Sequence, residues 1–208
     1  MERRVISQII FCVIISTFLY PQGIWNRLRV PIQMEGTVSL GYDNNFLRLS
    51  NKEINEDDVS KYGISSTLDS PILKPKWKLV YSPVFIKRKT TNIVASISYS
   101  HFTKATQKSY LISNLSVELR LGSYSWFKVG IRDIPIYYLR NYHDRDLSNI
   151  DYYNCTFSSQ KYYSSFSHPI KWICKAWVKI YIDFTKEYYN SNFTEFDLNK
   201  LMIQADLN

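Results

Sequence analysis

The stretch KWICKAWVKIYIDF, residues 171–184, constrains this chain more than any other. Trp172, Cys174, Ala176, Val178, Ile180, Ile182 and Phe184 occupy the even positions without a break, while the odd positions carry Lys171, Lys175, Lys179 and Asp183. Successive side chains of a strand point to opposite faces, so this run predicts a strand with one apolar face and one charged face. LISNLSVELRLG (111–122) repeats the pattern, setting Leu111, Leu115, Val117, Leu119 and Leu121 against Asn114, Ser116, Glu118 and Arg120. KWKLVYSPVF (76–85) and NIVASISYSHF (92–102) continue it, and further strands are expected near 36–49, 124–138, 152–166 and 194–207. That makes about eight strands.

Length separates two all-β architectures. Strands of soluble sheets usually run to about five or six residues. A membrane-crossing strand tilted near 45° needs roughly nine to eleven, and several runs here reach that length. If the odd face of 171–184 met lipid, Lys175 and Lys179 would each cost roughly 2 to 4 kcal/mol near the bilayer midplane, so the even face is expected to point outward. Short connections such as KRKTT and KATQK read as hairpin turns, whereas NKEINEDDVSKYG (51–63) and NYHDRDLSNID (141–151) read as longer polar loops. An outer-membrane barrel alternates short and long connections in this way. The expected fold is therefore an antiparallel up-and-down transmembrane β-barrel over residues 35–208. Two alternatives stand beside it: a secreted soluble β-sandwich acting as a binding module, and an outer-membrane hydrolase.

Composition agrees with strands and excludes a helical membrane bundle. Aromatic residues make up 16% of the 208 positions and there are six glycines, and aromatic side chains suit a pleated, half-buried surface. The mean hydropathy is −0.24, too polar for a helical bundle but ordinary for a barrel, where only alternate residues face lipid. The net charge of +8 is spread along the strands rather than gathered in a patch, which argues against nucleic acid as a partner.

Arg3 and Arg4 precede VISQIIFCVIISTFLY, and PQG follows. A charged start, an apolar run of about sixteen residues and turn-formers at its end describe a secretory signal peptide over residues 1–23, followed by a linker over 24–34. Export places Cys155 and Cys174 where disulfides are permitted. With SHPIK (167–171) as a hairpin turn, however, Cys155 falls opposite Phe184 and Cys174 opposite Ser165, too far apart to be joined.

GYDNNFLRLS (41–50) interrupts its strand with polar residues. With Tyr42, Asp43, Asn45 and Arg48 in place, it resembles the Y-D-x-N-x-x-R opening strand of a broad group of uncharacterised Gram-negative outer-membrane β-barrel proteins. The resemblance implies a barrel in the cell outer membrane, surrounded by outer-membrane lipid and handled by the barrel assembly machinery; the expected role is non-enzymatic, structural or porin-like. The chain ends LMIQADLN, whereas such barrels usually close on a strand with a terminal aromatic residue; a single eight-stranded barrel and a segment of a larger one both remain open.

Candidate chemistry is sparse. Asp43, Asn45 and Arg48 are expected either to form a hydrogen-bonded charge network facing the lumen or to mark a bulge or turn, since Asn and Asp tolerate left-handed backbone. Lys76, Lys78, Arg120, Lys175 and Lys179 fall on the polar faces of their strands and form a candidate basic lumen wall that would favour anions. His143, Asp144 and Asp146 share one loop and carry the hydrolase alternative. Glu53, Glu56, Asp57 and Asp58 form an acidic run without the fixed spacing of a calcium loop. No spacing points to a metal centre, a dinucleotide site or any other cofactor.

Overall fold

A computed structural model describes residues 28–56, 62, 65, 67–85, 89–143, 152–170 and 176–207. Within them the chain forms β1 (Gln33–Asp43), β2 (Ser70–Tyr81), β3 (Thr91–Phe102), β4 (Tyr110–Gly122), β5 (Ser125–His143), β6 (Tyr152–Pro169), β7 (Trp177–Tyr189) and β8 (Leu198–Leu207). Every strand pairs antiparallel with its sequence neighbours in one eight-stranded sheet, ordered β1 to β8. The sheet is not closed, for β1 and β8 remain its two edges. No described helix is long and apolar enough to cross a membrane.

Register sorts the side chains. Residues directly opposite in an antiparallel ladder share a face, and the pairings can be followed from edge to edge. One such row reads Glu35, Lys78, Ser96, Asn114, Arg132, Lys161, Thr185 and Lys200. The neighbouring row reads Met34, Leu79, Ala95, Leu115, Ile131, Tyr162, Phe184 and Leu201. The alternation expected from the sequence therefore holds along these two rows, and Val178, Ile180, Ile182 and Phe184 all lie on the apolar face. Two residues nearer the loop end the same face turns polar on β4 to β8, with Ser113, Asp133, Gln160, Lys186 and Asn199 in one row.

Burial shows which face is covered. Ser70, Ser100, Ser116, Ser159 and Asp183, all on the polar face, are buried, whereas Leu40 is 84% exposed and Ile203 66% exposed on the apolar one. A single sheet that covers one face without a second layer does so by curling, so the polar face is the inner one and the apolar face the outer. This reverses the arrangement of a water-soluble sheet, whose apolar side packs inward.

Local chemistry sets several features of the wall. Gly130 on β5 faces Tyr163 on β6, and a Cβ at that position would lie 2.5 Å from the Tyr163 ring and 2.8 Å from the Leu115 carbonyl oxygen. Only glycine permits this approach, which lets the Tyr163 hydroxyl donate to Asn114 Oδ1 at 3.0 Å across β5. β5 and β6 outrun their neighbours at 19 and 18 residues, and two register shifts, at Ile134/Tyr137 and Tyr138/Asn141, mark the bulges that bend such a long hairpin.

Several sequence expectations need correction. The first strand ends at Asp43 rather than 49, and β7 is described from Trp177. KATQK holds a 3-10 turn, Thr106–Lys108, rather than a bare hairpin turn. The β6–β7 register also differs: Phe184 faces Tyr162 and Ser165 faces Tyr181, because β6 runs through Pro169 and the connection is longer than SHPIK alone. Cys155 is a buried free thiol, and Cys174 lies outside the described residues, as does the expected signal peptide.

Candidate functional site

The C-terminal ends of β1, β3, β5 and β7 lie at one end of the sheet, from which the described connecting residues 44–56, 103–109 and 190–197 leave. At that end Phe46, Leu47, Leu49 and Tyr62 pack with Ile72, Phe102, Ala105 and Tyr138 into a buried cluster. Phe46 and Phe102 meet edge to face at 6.1 Å, and Phe46 N–H donates to the Leu68 carbonyl at 3.1 Å. The β1–β2 connection thus folds back onto the mouth of the sheet.

GYDNNFLRLS is the turn that makes this possible. Asp43 Oδ1 accepts from Asn45 N–H at 3.0 Å. The Asn45 side chain brackets Leu49, accepting from its N–H at 3.0 Å and donating to its carbonyl at 2.8 Å. Arg48, with φ at 56°, takes the left-handed conformation that the Asn and Asp residues were expected to supply. Its guanidinium lies 3.6 Å from Asp43 but is largely solvent-exposed, so the pair contributes little. The structure brings Asp43, Asn45 and Arg48 together, as a local turn that points Phe46, Leu47 and Leu49 inward.

Two further ties hold the mouth. The five-residue helix Asn51–Asn55 starts on a capping box in which Ser50 Oγ accepts from Glu53 N–H and the Glu53 carboxylate accepts from Ser50 N–H. Glu53 then reaches Arg140 on β5 at 3.0 Å. Asp69 accepts from Lys104 at 2.7 Å and from Tyr42 at 2.6 Å, and these two donors hold its carboxyl down at about 2. Lys108 is enclosed beneath: its Nζ donates to the Tyr138 and Leu139 carbonyls at 2.7 and 2.9 Å and lies 4.7 Å from the Tyr137 ring centre. Burial, with Arg48 nearby, lowers its pKa to about 8.

On the inner face, aromatic rings run across four strands just below this mouth. Tyr110, Tyr137, Phe157 and Tyr189 follow one another at 4.9, 5.3 and 5.3 Å, and Phe196 continues the series 5.7 Å beyond. Below the rings a cavity of about 330 Å³ opens over β5 to β8. Lys161 meets Asp183 at 2.9 Å on its wall, as an ion contact that leaves Asp183 Oδ2 without a directed hydrogen bond.

The expected basic residues divide. Lys76, Lys78, Arg120 and Lys179 all lie on the inner face by register. Lys78 pairs with Glu35 at 3.3 Å, Arg120 sits 5.4 Å from the Trp126 ring, Lys76 stands between Thr37 and Ser98, and Lys179 between Ser167 and Asp206. Lys175 lies outside the described residues. The cations lining the cavity are instead Arg132, Lys161 and Lys200, which sequence reading missed because they fall into one row only once three registers are known. His143 ends β5 with its ring 6.1 Å from Tyr152, and Asp144 and Asp146 lie outside the described residues. Glu53 of the acidic run is engaged in the capping box, and Asp57 and Asp58 are outside the described residues. Among the described residues no three His, Cys, Asp or Glu side chains gather as metal ligands would. Compared with known protein families, curated proteins and solved structures, the chain matches none.

Proposed function

We propose that this chain is a bacterial outer-membrane β-barrel protein, exported by an N-terminal signal peptide, non-enzymatic and structural or porin-like, with a basic lumen. The observation that supports it is the outer face. Val38, Leu40, Trp77, Leu79, Ile97, Leu115, Val129, Ile182, Leu201 and Ile203 are all exposed there, far more apolar surface than a soluble monomer tolerates. Aromatic residues sit toward both rims of that face: Tyr42, Tyr99 and Tyr188 near the loops, Tyr81, Phe127 and Phe166 near the turns. Barrels carry such girdles where strands leave the hydrocarbon. A soluble sandwich would need a second apolar layer, and all eight described strands lie in one sheet.

Lipid does not tolerate free backbone groups, so β1 and β8 must find partners there. An even strand count makes β1 and β8 antiparallel to each other, which permits closure within the chain without a crossover. The lumen side then carries Lys76, Lys78, Arg120, Arg132, Lys161, Lys179 and Lys200, and its partners are outer-membrane lipid and the barrel assembly machinery.

The test is to refold the full chain into detergent and compare gel mobility with and without boiling. A compact, heat-modifiable band with strand-rich circular dichroism is expected, with anion-selective conductance in planar bilayers. Protein that stays monodisperse in buffer without detergent overturns the membrane reading.

A further inference from the structure

We propose that the cavity over β5 to β8 binds a small organic anion with an aromatic body, of the arylalkanoate class. Arg132 and Lys200 would hold the carboxylate, and Phe157 with Ile134 and Met202 would cover the aryl group. The membrane reading is not required, because the site belongs to the inner face whatever the outer face meets.

Charge placement carries the argument. Arg132 stands directly opposite Lys161 in the β5–β6 ladder, and like charges so placed destabilise a sheet. Lys200 joins the same row from β8, with only Thr185 between it and Lys161. No acid occupies that row on β4 to β8. Lys161 is neutralised from the next row by Asp183, itself 2% exposed. Arg132 and Lys200 have no ion pair among the described residues, yet both line the cavity. Two cations without an ion pair line one concavity, in a row where like charges cost stability, and that placement is what assigns the concavity to an anion.

The apolar half is equally built. Phe157 lines the cavity, and its ring is held by stacking on its register partner Tyr189 at 5.3 Å and 28°. Ile134 and Met202 add apolar wall on either side. Phe157 and Lys161 are four residues apart on β6, roughly 13 Å of strand between their Cα atoms, and Arg132 and Lys200 have side chains long enough to reach along it. A ring separated from its carboxylate by a short alkyl chain spans it; inorganic phosphate does not. Glu187 also lines the cavity, so three cations and two carboxylates, Asp183 and Glu187, give a formal charge of 3 − 2 = +1. That balance suits a monoanion and disfavours polyanions. A volume of about 330 Å³ lies at the lower end of the small-ligand range.

The experiment is calorimetric titration of the refolded full chain with 3-phenylpropionate, and with inorganic phosphate and acetate for comparison. Saturable, sub-millimolar binding of 3-phenylpropionate is expected, with phosphate and acetate at least tenfold weaker. Arg132→Gln and, separately, Lys200→Gln should each weaken it about tenfold, and Phe157→Leu should erase the preference over acetate. Lys200 lies on an edge strand, so Lys200→Gln tests the site even if Arg132→Gln fails to fold. Absence of saturable binding by heat-modifiable protein, or unchanged affinity in Lys200→Gln, overturns the proposal. If the protein proves soluble without detergent, the membrane reading fails while the same titration in buffer still decides this one.

Discussion

The loop end and the outer wall use the same kinds of side chain to opposite ends. Phe46, Leu47 and Leu49 are nearly inaccessible within a cluster that the protein builds for itself, whereas Leu40, a few residues earlier, is 84% exposed on β1. The mouth has a core of its own and the wall has none. Apolar burial is the main favourable term in folding; under the membrane reading proposed above the wall would obtain that term from surrounding lipid, whereas the mouth has apolar contacts of its own. Perturbations should therefore separate the two regions by whether their effect depends on detergent or lipid.

The largest effect is expected at the mouth. Phe46→Ala removes a ring 1% exposed that packs against Phe102, and a cavity of that kind costs about 3–5 kcal/mol. Urea unfolding in detergent should show the loss, in small and large micelles alike. A loss below about 1 kcal/mol would mean that the connection does not seal the mouth.

The wall should respond next. Ile182 lies on the outer face between Ser164 and Ile203, and Ile182→Lys should cost about 2–4 kcal/mol in a bilayer. The matched control is Ser165→Lys, one residue along β6 from Ser164 and on the inner face opposite Tyr181. Only the outer-face change should reduce the heat-modifiable fraction after refolding into lipid vesicles. Equal effects of the two would break the assignment of faces.

That assignment was legible in the sequence because it rests on a period of two, which needs no knowledge of neighbours: the alternation from Val178 to Phe184 is the same on paper and in the fold. Registers were not legible, since each depends on where a turn begins. SHPIK gave a plausible turn and the wrong partner for Phe184. The cavity cations suffered most, because bringing Arg132 to Lys161 and Lys200 requires three consecutive registers. GYDNNFLRLS fell between these cases. Its polar residues signalled a break in the strand, but the fate of Phe46, Leu47 and Leu49 depended on Ile72, Phe102 and Tyr138, which are distant in sequence.

Lys108 sharpens the comparison through pH. Its folded pKa is lowered from 10.5 to about 8, first by burial and then by Arg48. Between those values the unfolded chain binds more protons than the folded one, so mouth stability should rise with pH from about 8 to about 10.5. The slope is at most about 1.4 kcal/mol per pH unit. Subtracting the pH dependence of Lys108→Met from that of the natural sequence isolates the contribution. A difference that falls with pH in this window would show that the two carbonyls and the Tyr137 ring favour the ammonium more than burial penalises it.

The smallest expected effect lies at the edge of the mouth, in the capping box. Ser50→Ala removes the hydroxyl that accepts from Glu53 N–H at 3.3 Å and donates to the Glu53 carboxylate at 2.9 Å, a change worth about 1 kcal/mol at a helix N-cap. The backbone N–H of Ser50 and the Arg140 guanidinium still hold Glu53, so the helix should stay docked on β5 in the variant. Glu53 has its pKa lowered chiefly by the hydrogen bonds from Ser50. Its contribution is therefore present above the ordinary carboxylate range and is lost as pH falls through the lowered value. Amide hydrogen exchange over residues 51–56 should accelerate in Ser50→Ala at neutral pH, and the gap from the natural sequence should narrow in acid. Exchange that changes equally over Phe46–Leu49 would make the box part of the buried cluster rather than its rim.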